Sequence, residues 1–213
     1  MVKAVLFDFW GTLVENGVHS PIKQVRSILK ITVPFSEYVI RMERVMMTSN
    51  HHSLRDAFIA VCKEFSIQCN EQLLEKLIGM WNKSWMLAQP YEEVQEVLER
   101  LGKKYTLILI SNTDSFSIEK VMEKFNLGSY FKKIFFSYKV GMLKGERNFL
   151  KQVVDETGLK IEDCVVVGDS IQSDMMAAKR IGMKAVLLDR RETRDFYPKV
   201  KDLKELENIL EKI

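Results

Sequence analysis

Residues 5–13 have the sequence Val-Leu-Phe-Asp-Phe-Trp-Gly-Thr-Leu, in which an apolar run ends on the carboxylate of Asp8 and a Gly-Thr turn follows. A second apolar run, residues 164–168, ends on Asp169, and Asp174 follows five residues later. An aspartate at the carboxyl end of a parallel strand lies where open α/β sheets bind their ligands. Because both runs end on an aspartate, we expect the two carboxylates to meet at one sheet edge and to hold a divalent cation.

Strands alternate with helices through most of the remaining chain. We predict strands over residues 2–7, 105–110, 133–136, 164–167 and 185–188, and helices over residues 91–101, 117–125, 146–157 and 174–181. The strands are short apolar runs without alternation, which is typical of a sheet that helices cover on both faces. Repeated strand–helix units form parallel sheets. The predicted fold class is therefore α/β, with a Rossmann-like doubly wound parallel sheet as its core.

The segment after the first strand has helical periodicity instead. Four apolar stripes at helical spacing lie between residues 22 and 81. Ser53 and Asn70 are placed to cap the third and fourth helices of this segment, and Trp81 and Trp85 are expected in its apolar core. We therefore predict an inserted all-helical domain of four helices over residues 16–89, and a core domain made of residues 1–15 and 90–213.

Composition excludes several classes of protein. Lys+Arg 32 against Asp+Glu 29 gives a net charge of +3, and the charges are scattered, which argues against a nucleic-acid surface. No apolar run approaches the roughly 18 residues that a membrane span needs. Cys62, Cys69 and Cys164 form an odd set without metal-ligand spacing, which favours a reducing compartment over a disulfide framework. The first strand begins near residue 1 and leaves no room for a signal peptide, so we expect a soluble, cytoplasmic protein of unspecified oligomeric state.

Four elements at strand ends follow one another in a fixed order along the chain. They are Asp8 with Gly11-Thr12, Ser111-Asn112, Lys144, and Gly168-Asp169 with Asp174. In this order on a strand–helix scaffold, the sequence resembles the haloacid dehalogenase superfamily of hydrolases over essentially the whole chain. The helical insertion lies where that superfamily has its helical caps. The resemblance also implies a cap that moves over the site, with hinges near residues 14–19 and 87–91.

The resemblance assigns the nucleophile and the metal ligands. Asp8 corresponds to the family's nucleophile, which attacks phosphorus and forms an aspartyl-phosphate. Asp8, Asp169 and the backbone carbonyl of Trp10 correspond to its Mg²⁺ ligands, and Asp174 lies close by as a carboxylate that acts through water. A small phosphorylated molecule is the implied substrate and Mg²⁺ the implied cofactor.

The resemblance also assigns a set of residues that contact the phosphoryl group. Ser111 and Lys144 correspond to catalytic residues of the family, and Thr12, Ser111, Asn112 and Lys144 to its phosphate-binding residues. Lys144 would supply a point charge to the phosphate and offset its repulsion from the carboxylates. The family usually has Lys-Pro where this chain has Lys144-Gly145, and Lys139 lies nearby as an alternative.

Trp10 is a departure from the family's phosphatases, which have a second aspartate two residues after the nucleophile. Loss of that general acid–base typically costs roughly 10²–10⁴-fold in rate. Three hypotheses stay open: a magnesium-dependent phosphatase with an altered proton relay, a metal-independent 2-haloacid dehalogenase, and a protein that binds phosphoryl groups without turnover. A phosphonatase-like enzyme is a further, minor alternative for which no cap lysine can be chosen.

Asp169 favours the phosphatase, because the dehalogenase branch has serine at that position. Without a cation, a carboxylate beside Asp8 would raise the proton affinity of the pair and so weaken Asp8 as a nucleophile. With an indole at position 10, we expect leaving groups that depart unprotonated, such as aryl or acyl phosphates, to react best. A proton from another residue, for example one in the cap, would remove that preference.

Overall fold

The computed structural model describes residues 1–213. The strands are β1 (Ala4–Phe7), β2 (Val14–Glu15), β3 (Gln89–Pro90), β4 (Thr106–Ser111), β5 (Lys133–Phe136), β6 (Cys164–Gly168), β7 (Lys184–Leu188) and β8 (Lys199–Val200). The helices are α1 (Pro21–Ile28), α2 (Phe35–Met47), α3 (Leu54–Glu64), α4 (Glu71–Met86), α5 (Val94–Gly102), α6 (Ile118–Lys124), α7 (Ser137–Val140), α8 (Phe149–Thr157), α9 (Met176–Arg180) and α10 (Leu206–Leu210). A short π-helix, Ile171–Met175, precedes α9. None of these helices combines the length and the apolar character needed to traverse a bilayer.

Six strands form one parallel sheet in the order β5-β4-β1-β6-β7-β8, which confirms the predicted α/β fold class. In the register of the central strand, Phe7 lies opposite Leu109 of β4 and Val167 of β6. The residues that follow these three strands therefore lie side by side at one edge of the sheet. This alignment brings Asp8 next to Asp169.

Both faces of the sheet are buried, which explains the unbroken apolar run in β1. Val5 and Phe7 pack into an apolar cluster with α5, α6 and α10, whereas Ala4 and Leu6 pack into a second cluster with α8 and α9. Successive side chains of a strand point to opposite faces, so a strand between two helical layers needs an apolar residue at every position. The sheet is therefore doubly wound, as predicted.

Helices α1 to α4 follow one another between β2 and β3 and have an apolar core of their own. The predicted apolar stripes contribute its members, which include Val25, Met42, Val61, Leu77 and Trp81. Two predicted N-caps are confirmed: the Asp56 N–H donates to Ser53 Oγ at 3.1 Å, and the Leu73 N–H donates to Asn70 Oδ1 at 2.9 Å. These caps fix where α3 and α4 begin.

The chain passes between the sheet and the four inserted helices twice, once at β2 and once at β3, and these two short strands pair with each other. β2 and β3 form an antiparallel ribbon with Val14 opposite Pro90 and Glu15 opposite Gln89. Next to the ribbon, a Cβ on Gly17 would lie 2.4 Å from the Cβ of Leu87, so the two passages touch where only glycine fits. The sequence pattern does not indicate this ribbon, because strands of two residues show no periodicity. The division into residues 1–15 with 90–213 and residues 16–89 stays a prediction, as do the hinges.

Cys62 and Cys69 form a disulfide, and the expectation of no disulfide was wrong. Cys62 lies in α3 and Cys69 immediately precedes the cap residue of α4, with Cα atoms 6.2 Å apart. The turn between two antiparallel helices brings these residues together, and a count of cysteines cannot show that. Cys164 is free and buried in the sheet.

The apolar core of the four inserted helices makes a stability prediction. Phe58 is fully buried in α3, whereas the next residue, Ile59, is 44% exposed. Phe58→Ala is expected to lower the free energy of unfolding by about 3–5 kcal/mol, because it leaves a cavity. Ile59→Ala, on the same helix, should change it by no more than about 0.5 kcal/mol. Guanidinium denaturation of both variants measures this, and similar losses in the two would contradict the burial described.

Candidate active site

Three carboxylates converge at the carboxyl edge of β1 and β6. One oxygen from each of Asp8, Asp169 and Asp174 lies within 4.8 Å of the others. The Asp8 N–H donates to the carbonyl of Val167 at 2.9 Å, and the Ser170 N–H donates to Asp174 Oδ2 at 3.1 Å. The main chain therefore fixes two members of the cluster. The sheet register brings together the acidic residues that the sequence analysis selected.

Lys144 lies inside this cluster and is almost fully buried. Its Nζ is paired with Asp8 Oδ1 and lies 2.6 Å from Asp174 Oδ1. The alternative lysine, Lys139, lies instead on the surface and pairs with Glu119. Of the two lysines considered, only Lys144 reaches the candidate site.

Burial and mutual repulsion shift the proton affinities in the cluster. Burial, reinforced by the charge of Asp8, raises the pKa of Asp174 to about 7 despite the neighbouring Lys144. The same two causes raise the pKa of Asp169 to about 6, against the lowering effect of Arg194. Burial lowers the pKa of Lys144, but the charges of Asp174 and Asp8 outweigh it and raise that pKa above its ordinary value. The cluster thus holds more negative charge than its single lysine neutralises.

Two glycines let the acidic loops approach each other. A Cβ on Gly168 would lie 2.3 Å from Asp174 Oδ2, and one on Gly11 would lie 2.9 Å from Asp169 Oδ2. Gly11 also has φ +82°, a conformation that side chains with a Cβ disfavour. The packing of carboxylates against main chain therefore requires glycine at both positions.

The predicted phosphate-binding residues surround the same edge. Thr12 Oγ1 donates to Asp8 Oδ2 at 2.9 Å, and Ser111 is buried at the end of β4 with its Oγ 3.4 Å from the Asn112 carbonyl. The side chain of Asn112 connects two other segments: its Oδ1 accepts from the Lys144 N–H at 2.8 Å, and its Nδ2 donates to Glu43 Oε2 at 2.9 Å. The assigned phosphate-binding roles stay predictions.

Trp10 lines a pocket of about 230 Å³ between the helical insertion and the sheet edge. Its Nε1 lies 3.3 Å from Thr113 Oγ1, which holds the indole in place. All three tryptophans of the chain line this pocket. The expected place of Trp81 in the apolar core of the insertion is confirmed, whereas Trp85 packs against the apolar cluster of the sheet instead. Trp81 does pack into the apolar core of the insertion, but its Nε1 also donates to Asp114 Oδ2 across the pocket at 3.0 Å. The participation of the Trp10 carbonyl in metal binding stays a prediction.

Sequence reasoning missed two charged residues at the site. Glu43, on α2, lines the tryptophan pocket, and Arg194 lies 3.7 Å from Asp169 Oδ2. Glu43 immediately follows Met42 of the predicted apolar stripe, and an acidic residue beside such a stripe was its only signal. Arg194 lies among many scattered charges, and nothing in the sequence distinguishes it.

An aspartate at the end of the central strand, an acidic cluster around it and a buried lysine, on a doubly wound sheet with a helical cap, are typical of one class of hydrolases. The sequence profile of the haloacid dehalogenase-like hydrolases matches residues 5–188 of this chain. The chain belongs to that family and is a hydrolase.

Relatives of known structure or activity agree with this membership. The chain is 26% identical over 205 residues to the glyceraldehyde 3-phosphate phosphatase of Methanocaldococcus jannaschii, covering 92% of this chain and 88% of the relative. A crystal structure of a HAD phosphatase from Thermococcus onnurineus is 25% identical, with a TM-score of 0.63 and 98% of both chains covered. A 2-haloacid dehalogenase from Pseudomonas syringae has a TM-score of 0.68 at 19% identity over 100% of this chain and 99% of that one. At that identity the last likeness shows the fold alone.

The close packing at Gly168 makes a prediction about the cluster. Gly168→Ala is expected to lower the free energy of unfolding by about 3 kcal/mol, because the new methyl group displaces the Asp174 carboxylate from a buried ion pair. Gly79→Ala in α4 is the control: nothing lies within 4 Å of its Cβ, and alanine in a helix should add up to about 1 kcal/mol. Chemical denaturation gives both values. Unchanged stability of Gly168→Ala would show that the strand does not constrain Asp174.

Proposed function

We propose that the protein is a magnesium-dependent phosphatase that acts on a small phosphorylated metabolite through an aspartyl-phosphate on Asp8, with Trp10 in place of the usual general acid–base. One observation carries the proposal: the three-carboxylate cluster around Asp8 with the buried Lys144 beside it. Phosphoryl transfer needs a nucleophile, positive charge for the equatorial oxygens, and a metal. The cluster offers a residue for each requirement.

The donor set of the cluster fits a hard divalent cation. Three carboxylates within 4.8 Å of one another provide oxygen ligands only, which Mg²⁺ prefers, and the raised pKa values of Asp169 and Asp174 indicate a deficit of positive charge. Asp8 and Asp169, with the Trp10 carbonyl, would hold the ion, and Asp174 would contact it through water. When bound, Mg²⁺ would neutralise charge on the phosphoryl oxygens and on the carboxylates.

The protein's own groups position the nucleophile. Asp8 accepts a hydrogen bond from Thr12 through Oδ2 and is paired with Lys144 through Oδ1, so its carboxylate cannot rotate freely. Burial keeps it poorly hydrated, which favours attack on phosphorus. Because Lys144 is paired with Asp8, it can also stabilise the negative charge on the phosphoryl group as the new P–O bond forms.

Asp169 and the similarity to the glyceraldehyde 3-phosphate phosphatase favour a phosphatase over a dehalogenase. A metal-independent dehalogenase gains nothing from a second carboxylate beside its nucleophile, and here Asp169 lies within 4.8 Å of Asp8. The relative from Methanocaldococcus jannaschii acts on glyceraldehyde 3-phosphate, and this chain covers 88% of its length. A pocket of about 230 Å³ beside the cluster suits a leaving group of comparable, small size.

Hydrolysis of p-nitrophenyl phosphate tests the proposal. Release of p-nitrophenolate should require Mg²⁺ and stop in excess EDTA. Asp8→Asn should lower kcat/KM by at least about 10³-fold, because the amide removes the nucleophile. Asp163→Asn is a matched control, since Asp163 lies at the opposite end of β6 and pairs only with Lys3 at 2.8 Å on the surface.

Other outcomes would point to the other hypotheses. Release of chloride from 2-chloropropionate in EDTA, without phosphate release, would identify a dehalogenase. Binding of beryllium fluoride without any turnover would identify a protein that binds phosphoryl groups but does not hydrolyse their esters. Equal activity of Asp8→Asn and the wild type would remove the proposed nucleophile.

A further inference from the structure

Among the groups that line the pocket, the core offers the proposed phosphatase no free proton donor. The position two residues after Asp8 is Trp10, whose indole N–H points to Thr113 and is no acid at neutral pH. Asp114 also lines the pocket, but it already accepts four hydrogen bonds, from Phe116, from Trp81 and twice from Ser117. Three of these hydrogen bonds come from the loop that follows β4 and hold the Asp114 carboxylate there. The remaining carboxyl group of the pocket is Glu43.

Glu43 reaches the site from the helical cap. It lies on α2, lines the same pocket as Trp10, and accepts a hydrogen bond at Oε2 from Asn112 Nδ2 at 2.9 Å. The same amide of Asn112 accepts from the Lys144 N–H at 2.8 Å, so one residue connects the cap carboxyl group to the loop that holds the lysine. Oε1 of Glu43 makes no hydrogen bond with the protein. It is the oxygen available to a ligand.

On the basis of the proposed function, we infer that Glu43 is the acid that protonates the leaving group and then the base that activates water, in place of the carboxylate that Trp10 has replaced. Asn112 holds Oε2, and Oε1, which makes no hydrogen bond with the protein, is the atom left to exchange the proton at the pocket that Glu43 lines. The donor therefore approaches from the cap, opposite the nucleophile on the core.

The two half-reactions balance with this single group. In the first, an Asp8 oxygen bonds to phosphorus, the bond from phosphorus to the ester oxygen breaks, and the proton of Glu43 passes to that oxygen, which leaves as an alcohol. In the second, water attacks the phosphorus of the aspartyl-phosphate and gives its proton to the Glu43 carboxylate, while the bond between phosphorus and the Asp8 oxygen breaks. Hydrogen phosphate leaves, and both side chains return to their starting states.

The electrostatic surroundings of Glu43 agree with a proton donor at neutral pH. Burial and the charge of Asp8 raise the pKa of Glu43 to about 7, against the lowering effects of Asn112 and Lys144. Asp114 lines the same pocket as Glu43, and Arg44, the next residue on α2, pairs with Glu146 at 3.5 Å. A phosphate dianion bound beside Asp8 adds negative charge and favours the protonated form further.

Leaving-group dependence tests the inference. Wild type and Glu43→Gln are compared on p-nitrophenyl phosphate, whose leaving group departs unprotonated, and on glycerol 3-phosphate, whose alkoxide must be protonated. Glu43→Gln should lose about 10²–10⁴-fold in kcat/KM on the alkyl ester and change little on the aryl ester. The wild-type rate on the alkyl ester should fall as the pH rises through about 7, the pKa of Glu43, and this decrease should be absent in Glu43→Gln. The preference for aryl phosphates that Trp10 alone would cause would then appear in Glu43→Gln and not in the wild type.

A matched control and the opposing outcomes complete the test. The control is Glu37→Gln. Glu37 lies on the same helix, is exposed and pairs with Arg41 at 2.9 Å, so its replacement should leave kcat/KM unchanged for both esters. Equal losses by Glu43→Gln on both esters, no loss on either, or a wild type that hydrolyses only the aryl ester would each overturn the role of Glu43. A wild type inactive on both esters would instead overturn the phosphatase itself, before any Glu43 variant is considered.

Discussion

The buried ammonium of Lys144 between Asp8 and Asp174 is the interaction on which the site depends. Its transfer from water to the interior is costly, and only the two carboxylates at hydrogen-bonding distance make it favourable. The carboxylates, in turn, would repel each other without it. Asp169 adds a third acidic group that the lysine does not neutralise, and this residual negative charge is the physical basis of the proposed cation site at the edge of the sheet.

The cap and the core are not independent around this interaction. Leu143, which precedes Lys144, is buried in the apolar core of the cap helices. Glu43 contacts Asn112, and Trp81 contacts Asp114, so polar groups from α2 and α4 join the loop after β4. The backbone that presents the lysine is therefore held partly by cap residues. A cap that moved away would weaken the support of Lys144 beside Asp8 as well as open the pocket.

Much of the architecture could be predicted from the sequence, because it depends on local and repetitive signals. The run that ends at Asp8 has apolar side chains at every position since helices cover both faces, and the cap stripes repeat at helical spacing. The Cys62–Cys69 disulfide, the β2–β3 ribbon and the position of Glu43 could not be predicted in the same way. Each depends on a single contact between segments, which leaves no periodic trace in either one. The assigned metal and phosphate contacts stay predictions.

Trp10 changes what the cap has to do. An enzyme with its acid two residues after the nucleophile carries both groups on one rigid strand end, and its cap needs only to exclude water and select substrate. With an indole at that position, the proposed proton donor, Glu43, comes from a cap helix. With Glu43 as the proposed donor, proton transfer would require the closed arrangement, so an open cap would bind phosphate yet cleave alkyl esters poorly. Substrate selection and chemistry would become one event, since a leaving group that prevents closure also loses its proton donor.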